Sequence, residues 1–376
     1  MEILNVPNYF SAILTINYVL VVVTFIRGWH KLMPYKASAK KCTTPVSVIV
    51  AARNEAGSIS HTIEDLLAQD YDKDLLEIIF IDDHSTDNTV EIITGYKDIK
   101  LIILNEDKAL NSYKKKAIQT AISGATGKLI VTTDADCRMG PNWLKTIVSY
   151  YEEHDYKMIS SPVVYFKEQS FFERAQALEF LYLIGLGAST IGNGKPSTCN
   201  GANLAYERDA FYEVGGFKGI DDLASGDDEL LLHKMAARYE KKIGFLRNYE
   251  AMVYTFAKPN MSEFIQQRKR WASKSTRYKN KSIIVLGVFV WLFNLSILAN
   301  VVAGLFVGVF FKVALVQLLI KIVFEFLFLW DVTRFAKRRE LLALMPALSL
   351  MHIIYIIFIG VAGNSGKYNW KGRMVK

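Results

Sequence analysis

Charge placement limits this chain most. Residues 282–311 carry no charged side chain, residues 9–26 carry none, and 341–363 is nearly as apolar. A run of about 20 apolar residues is long enough to cross the hydrocarbon core of a bilayer. A fourth run, 313–333, is apolar but holds Lys321, Glu325 and Asp331. Residues 42–281 have ordinary polar content. The pattern predicts one membrane helix within residues 1–30, a polar domain over 42–281, a membrane region of about three helices over 282–363, and a basic tail at 364–376.

Orientation follows from the flanking charges. Glu2 precedes the first run, and Arg27, Lys31, Lys36, Lys40 and Lys41 follow it. That is the reverse of a cleaved signal peptide. The positive-inside rule predicts an outside N-terminus and a cytosolic polar domain. The basic loop "RFAKRRE" (334–340) falls on the same side if 283–311 and 313–333 form a hairpin. A full crossing by 341–363 would leave the basic tail "GKYNWKGRMVK" outside, so the crossing number stays open: 313–333 or 341–363 can be re-entrant or interfacial instead. The net charge of +8 fits contact with anionic headgroups, and no nucleic-acid motif accompanies it. Three cysteines, Cys42, Cys137 and Cys199, lie far apart without a CxxC pair, which argues against a disulfide framework or a zinc site.

Between the membrane runs the chain alternates. Strands are predicted at 46–52, 77–82, 100–104 and 128–133. Helices are predicted at 58–69 with Ser58 as N-cap, at 89–96, at 112–125, and from Pro141 onward. This order implies a parallel, doubly wound α/β sheet, in which ligands bind beyond the carboxyl ends of the strands. Three polar clusters fall at such ends: "RNE" (53–55), "DDHSTD" (82–87) and "DAD" (134–136). Any one of them is ordinary turn and cap chemistry. Three on one sheet edge describe a site for a polar ligand, a nucleotide and a cation being good candidates.

At this point the sequence resembles the membrane-embedded family 2 glycosyltransferases, related to ceramide glucosyltransferases and to cellulose, hyaluronan and poly-N-acetylglucosamine synthases. The resemblance covers about residues 45–281. It rests on "AARNE" (51–55), "IDDHSTDNT" (81–89), "DAD" (134–136), "GGF" (215–217), "GDDELL" (226–231) and "QRKRW" (267–271). It implies a GT-A fold (a Rossmann-like nucleotide-diphospho-sugar transferase domain), a nucleotide-sugar donor with UDP as the nucleotide, and Mg²⁺ or Mn²⁺. Asp136 is then the metal ligand, with Asp134 leaning to the ribose or the metal. Asp82 and Asp83 belong beside the base and ribose, Ala51, Arg53 and Glu55 around the base, and Lys114 or Lys115 near the nucleotide, the register of "YKKKA" being ambiguous. Asp228, the second acid of a pair whose first member is Asp227 where the family has Glu, is the candidate base. Asp227 or Glu229 is the alternative as a helix cap.

A diphosphate leaving group builds negative charge that a hard cation neutralises, and an acceptor hydroxyl must lose a proton to a nearby base. One base in line with attack predicts inversion at the anomeric carbon. Arg270 can pair with the diphosphate, Trp271 offers an apolar face, and Gln267 lies one turn earlier on the same face. Segments 171–190 and 261–281 are expected to touch the bilayer surface, the first as a core helix or the floor of an acceptor pocket. Two enzyme readings follow: transfer of one sugar to a lipid acceptor, or processive synthesis of a glycan, for which Lys321 and Glu325 could line a polar path. A non-catalytic membrane scaffold is a further reading from another class. A transporter is set aside, because the apolar segments are few and show no repeat. The modest loops and the lack of a eukaryotic retention signal suggest a bacterial inner membrane.

Overall fold

The computed structural model describes residues 5–38, 40–105, 112–363, 368–370 and 373–375. The chain starts with helix α1 (Asn5–Lys31). It continues β1 (Val46–Ala52), α2 (Ile59–Leu67), β2 (Leu76–Asp82), α3 (Thr89–Thr94), β3 (Lys100–Ile103), α4 (Tyr113–Ser123) and β4 (Leu129–Asp134). Then come β5 (Arg138–Met139), α5 (Trp143–Glu153), β6 (Met158–Ser160), β7 (Val163–Tyr165), α6 (Phe171–Gly192), β8 (Leu204–Glu207) and α7 (Arg208–Glu213). The domain closes with α8 (Glu229–Arg238), β9 (Ile243–Phe245), β10 (Val253–Thr255) and α9 (Met261–Ser273). Three long helices follow: α10 (Lys281–Gly304), α11 (Val309–Phe335) and α12 (Met345–Ala362), and after them a short hairpin of β11 (Tyr368–Trp370) and β12 (Arg373–Val375).

The main sheet has the order β3-β2-β1-β4-β8-β6-β9. Its first four strands are parallel, as the alternation predicts. The wholly parallel expectation needs correction at β8, which runs antiparallel to both β4 and β6. A parallel neighbour needs a crossover that starts and ends at opposite sheet edges, and the chain reaches β8 instead from the cavity side, through α6 and a turn at Gly201–Asn203. β1 is fully enclosed: Val46, Val48, Ile49 and Val50 are at most 1 % exposed, which explains its unbroken apolar run. Two local expectations also shift. Pro141 lies in a turn and α5 starts at Trp143. Ser58 occupies the N-cap position of α2, but its hydroxyl bonds the carbonyl and carboxylate of Glu55 rather than the helix.

Among the described residues, four helices are long and apolar enough to cross a membrane: Tyr9–Lys31, Lys281–Gly304, Val309–Phe335 and Arg339–Ala362. Helix α1 packs on α6, α10 and α11. At the α1–α6 crossing the backbones touch. A Cβ on Gly28 would lie 2.1 Å from the Ser189 carbonyl oxygen, and one on Gly192 would lie 2.2 Å from that of Gly28. No side chain larger than hydrogen fits there, so the two glycines fasten the first apolar helix to the domain. Lys321 and Glu325 do not face an open path. They bond each other at 2.5 Å, the Tyr18 hydroxyl donates to the same Glu325 oxygen at 2.5 Å, and both ions are buried between helices.

Candidate active site

The register of the parallel strands brings the polar clusters together. Ala51 pairs with Asp134 across β1 and β4, and Ala52 pairs with Asp82 across β1 and β2. A cavity of about 610 Å³ opens beyond these strand ends. Ala51, Glu55, Lys114, Asp134, Asp136, Asp228, Gln267, Arg270 and Trp271 all line it. Arg53, Asp82 and Asp83 do not. Arg53 donates from Nη1 to the carbonyls of Asp83 and His84, both at 2.7 Å, and so ties the first two clusters together. Asp82 and Asp83 are each 2 % exposed. Asp82 accepts from the Ser85 amide at 3.0 Å, and its Oδ1 has no hydrogen-bond partner among the described residues.

The structure also separates the two lysines. The Lys114 ammonium donates to Asp134 Oδ1 at 2.8 Å and lies 3.2 Å from Asp227 Oδ2. Burial alone would lower its pKa, but these carboxylates hold it well above the usual lysine range. Burial likewise favours neutral Asp227, yet Lys114 and Lys115 hold its carboxyl below the usual range. Lys115 turns away from the cavity. Its ammonium meets the carbonyls of Ile220, Leu223 and Ser225, each at 2.6 Å.

Asp228 is itself the N-cap of α8, accepting from the Glu229 amide at 2.6 Å. Its other oxygen accepts from the Gly201 amide at 3.2 Å. The capping alternatives therefore shift: Asp227 is an ion-pair partner, and Glu229 is buried. Glu229 accepts from the Thr198 hydroxyl at 2.6 Å and from Lys274 at 3.2 Å, and the Tyr278 hydroxyl donates to it. Lys274 also lies 3.6 Å from Asp228 and lines the cavity. Sequence reasoning missed it, although it stands four residues past Arg270, the spacing that shares a helix face. Arg268 was missed as well. It is 2 % exposed, donates to Glu179 at 2.7 Å and stacks its guanidinium 4.2 Å from the Trp271 ring centre. Thus Trp271 is held from behind by a cation.

Ligand atoms of Asp134, Asp136 and Cys137 lie within 4.8 Å of one another. Burial and the two carboxylates push the Cys137 thiol up, and its soft sulfur is a poor match for a hard cation. The remaining donors are carboxylate oxygens, which suit Mg²⁺ or Mn²⁺. The far side of the cavity differs: Phe180, Leu183, Ile184, Gly187 and Ala188 of α6 and the Trp271 ring present apolar surface.

Gly226 makes the turn into Asp227 possible. Its φ is +84°, and a Cβ there would lie 2.9 Å from Leu230. Left-handed backbone costs an L-residue about 1–2 kcal/mol before any clash. Gly226→Ala is expected to lower the unfolding midpoint and the turnover together, checked by thermal unfolding and by rate. A variant with wild-type values for both would show that the turn tolerates a side chain.

Residues 47–215 match the model of Glycosyl transferase family 2. They are a family 2 glycosyltransferase domain. The glycosyltransferase domain has similar sequences among characterised proteins. A glucosyl-dolichyl phosphate glucuronosyltransferase of Haloferax volcanii is 27% identical over 183 residues, 46% of this chain and 55% of the relative. A poly-beta-1,6-N-acetyl-D-glucosamine synthase of Staphylococcus aureus is 26% identical over 234 residues, 60% of this chain and 53% of the relative. The chain thus spans just over half the length of these relatives. In fold, a mannosyltransferase from Pyrobaculum calidifontis, solved in complex with GDP-Man and Mn²⁺, superposes with a TM-score of 0.59 at 19% identity, covering 96% of each chain. The likeness extends past the domain to the flanking helices and supports the GT-A assignment.

Proposed function

We propose that the protein transfers a hexosyl group from a nucleoside-diphosphate sugar, UDP-linked, to a membrane lipid acceptor at the cytosolic face, with inversion at the anomeric carbon. The observation that carries this reading is the two-sided cavity. Carboxylates and Lys114 line the cavity at the strand ends, α6 lends it apolar residues, and helices of membrane-spanning length pack against α6 and α9. A donor needs the first surface, and an acceptor with a hydrocarbon chain needs the second.

In this mechanism Asp228 accepts the proton of the acceptor hydroxyl. The acceptor oxygen bonds the anomeric carbon as the bond to the diphosphate oxygen breaks, and the nucleoside diphosphate leaves with the electron pair. The Gly201 and Glu229 amides hold the Asp228 carboxylate in place. Arg270 binds the diphosphate. Asp136, with Asp134, would hold a divalent cation, which there offsets charge on the departing diphosphate. Lys114 keeps Asp134 and Asp227 from repelling each other when the donor is absent. Trp271, backed by Arg268, closes the acceptor side.

The test is a product analysis. Purified protein in detergent receives radiolabelled nucleotide-sugars one at a time, with Mn²⁺ and a total lipid extract. Label in a small, organic-soluble product is the expected result. Label in high-molecular-weight, glycanase-sensitive material would replace this reading with the synthase one, which the similarity to the Staphylococcus aureus relative favours. No transfer from any donor would return the protein to the scaffold reading.

A further inference from the structure

Lys115 is a buried cation that the mechanism above does not use. It is 1 % exposed, it lines no part of the cavity, and it makes no carboxylate ion pair among the described residues. An ammonium has three protons to donate. Here all three go to backbone carbonyls of one loop, those of Ile220, Leu223 and Ser225. That loop ends at Gly226, and the next two residues are Asp227 and Asp228. We propose that Lys115 is a positioning residue: by gathering these three carbonyls it holds the 220–225 loop so that Asp227 and Asp228 enter the cavity at a fixed depth. The inference rests on the assignment of Asp228 as base.

The loop has few other ties of its own. Asp222 pairs with Arg277, both being about half exposed, and Leu223 and Ile220 are the apolar side chains it buries. Its carbonyls point inward, where water cannot satisfy them, so they need a donor. Lys115 and Lys114 are neighbours on α4, so one turn of helix addresses both ends of the acidic pair. Lys114 pairs with the Asp227 side chain, while Lys115 fixes the backbone leading to it. Burial lowers the Lys115 ammonium to about 8, against the pull of Asp227, Asp228 and Asp222 and with a further push from Lys274. It therefore stays charged at neutral pH.

The test compares Lys115→Met, which keeps the length and removes the donors, with Lys115→Arg, which keeps a cation. Lys115→Met is expected to lower kcat by about 10- to 100-fold, the scale of an ångström-size misplacement. Donor KM should hold near the wild-type value, because Lys115 does not touch the cavity. Exchange of the Ile220 and Leu230 amides, which bond the Phe217 and Gly226 carbonyls at the two ends of the loop, should speed up by about tenfold or more while the sheet strands stay protected. Lys115→Arg should recover part of both losses. The unaltered protein supplies a second measurement that needs no variant: its Ile220 and Leu230 amides should be protected. Free exchange of those amides in the wild type, or wild-type kcat and exchange in Lys115→Met, would overturn the proposal. Asp228→Asn is run alongside. If it retains turnover, the base assignment fails, and the exchange data alone then judge the latch. If it is inactive while Lys115→Met behaves as wild type, the assignment survives and the latch does not.

Discussion

Asp228→Asn is expected to lower turnover by about 10²–10⁴-fold, the range for loss of a positioned general base, with donor binding kept. The substitution is nearly isosteric, and Asn is as good an N-cap as Asp. The amide oxygen can still accept from Glu229 or Gly201, so α8 should start where it does now. What disappears is the second carboxylate oxygen and the negative charge that receives the proton. Asp227→Asn should behave differently. It removes one of two carboxylates around Lys114 and frees that ammonium toward Asp134. Single-turnover rates with a radiolabelled donor, together with calorimetric binding of UDP, separate the two effects. Turnover of Asp228→Asn within a few-fold of wild type would remove Asp228 from the base role, and Asp227 would be the next acid to test.

The sheet was legible because burial writes it into the sequence. β1, β2 and β4 are covered on both faces and appear as apolar runs ending in polar clusters, and the register of parallel strands brings those ends to one edge. The departure at β8 was not legible. Strand direction depends on where α6 delivers the chain, and α6 reads only as an apolar helix. The cavity residues carried by whole motifs, Asp134, Asp136, Asp228 and the Gln267–Arg270–Trp271 face, were found because each motif is short and rigid. Arg53, Asp82 and Asp83 share their motifs, yet the structure turns Arg53 to loop carbonyls, Asp82 to the Ser85 amide and Asp83 to the His84 ring instead of the cavity. Composition cannot distinguish those orientations. The roles of Lys114 and Lys115 were ambiguous for a related reason: adjacent helical residues differ by about 100° in direction, and only the packing of α4 against the 220–225 loop decides which one meets the carboxylates. Arg268 and Lys274 drew no attention because their partners, Glu179 and Glu229, are distant in sequence.

Chelation should be as damaging as loss of the base. Seven acidic residues line the cavity, Glu55, Asp134, Asp136, Asp227, Asp228, Glu229 and Glu263, against four basic ones, Lys114, Lys258, Arg270 and Lys274. An anionic diphosphate meets net repulsion there unless a cation enters with it. Lys114 is already committed between Asp134 and Asp227, and Lys274 is committed to Glu229. Only Arg270 and Lys258 are then left to offset the diphosphate among the remaining carboxylates. A divalent cation on Asp136 and Asp134 reverses the sign locally, a contribution of several kcal/mol, or about 10²–10³-fold in affinity. UDP binding by calorimetry is expected to weaken by that factor when Mn²⁺ is replaced with EDTA. Asp136→Asn should show the same weakness even with Mn²⁺ present, since a neutral amide holds a hard cation poorly. GDP run in parallel separates a wrong base from a missing metal, because both nucleotides share the diphosphate. Equal UDP affinity in EDTA and Mn²⁺ would sink the metal assignment. A wild-type response of Asp136→Asn to Mn²⁺ would move the cation away from Asp136, leaving Asp134 and the diphosphate oxygens to hold it.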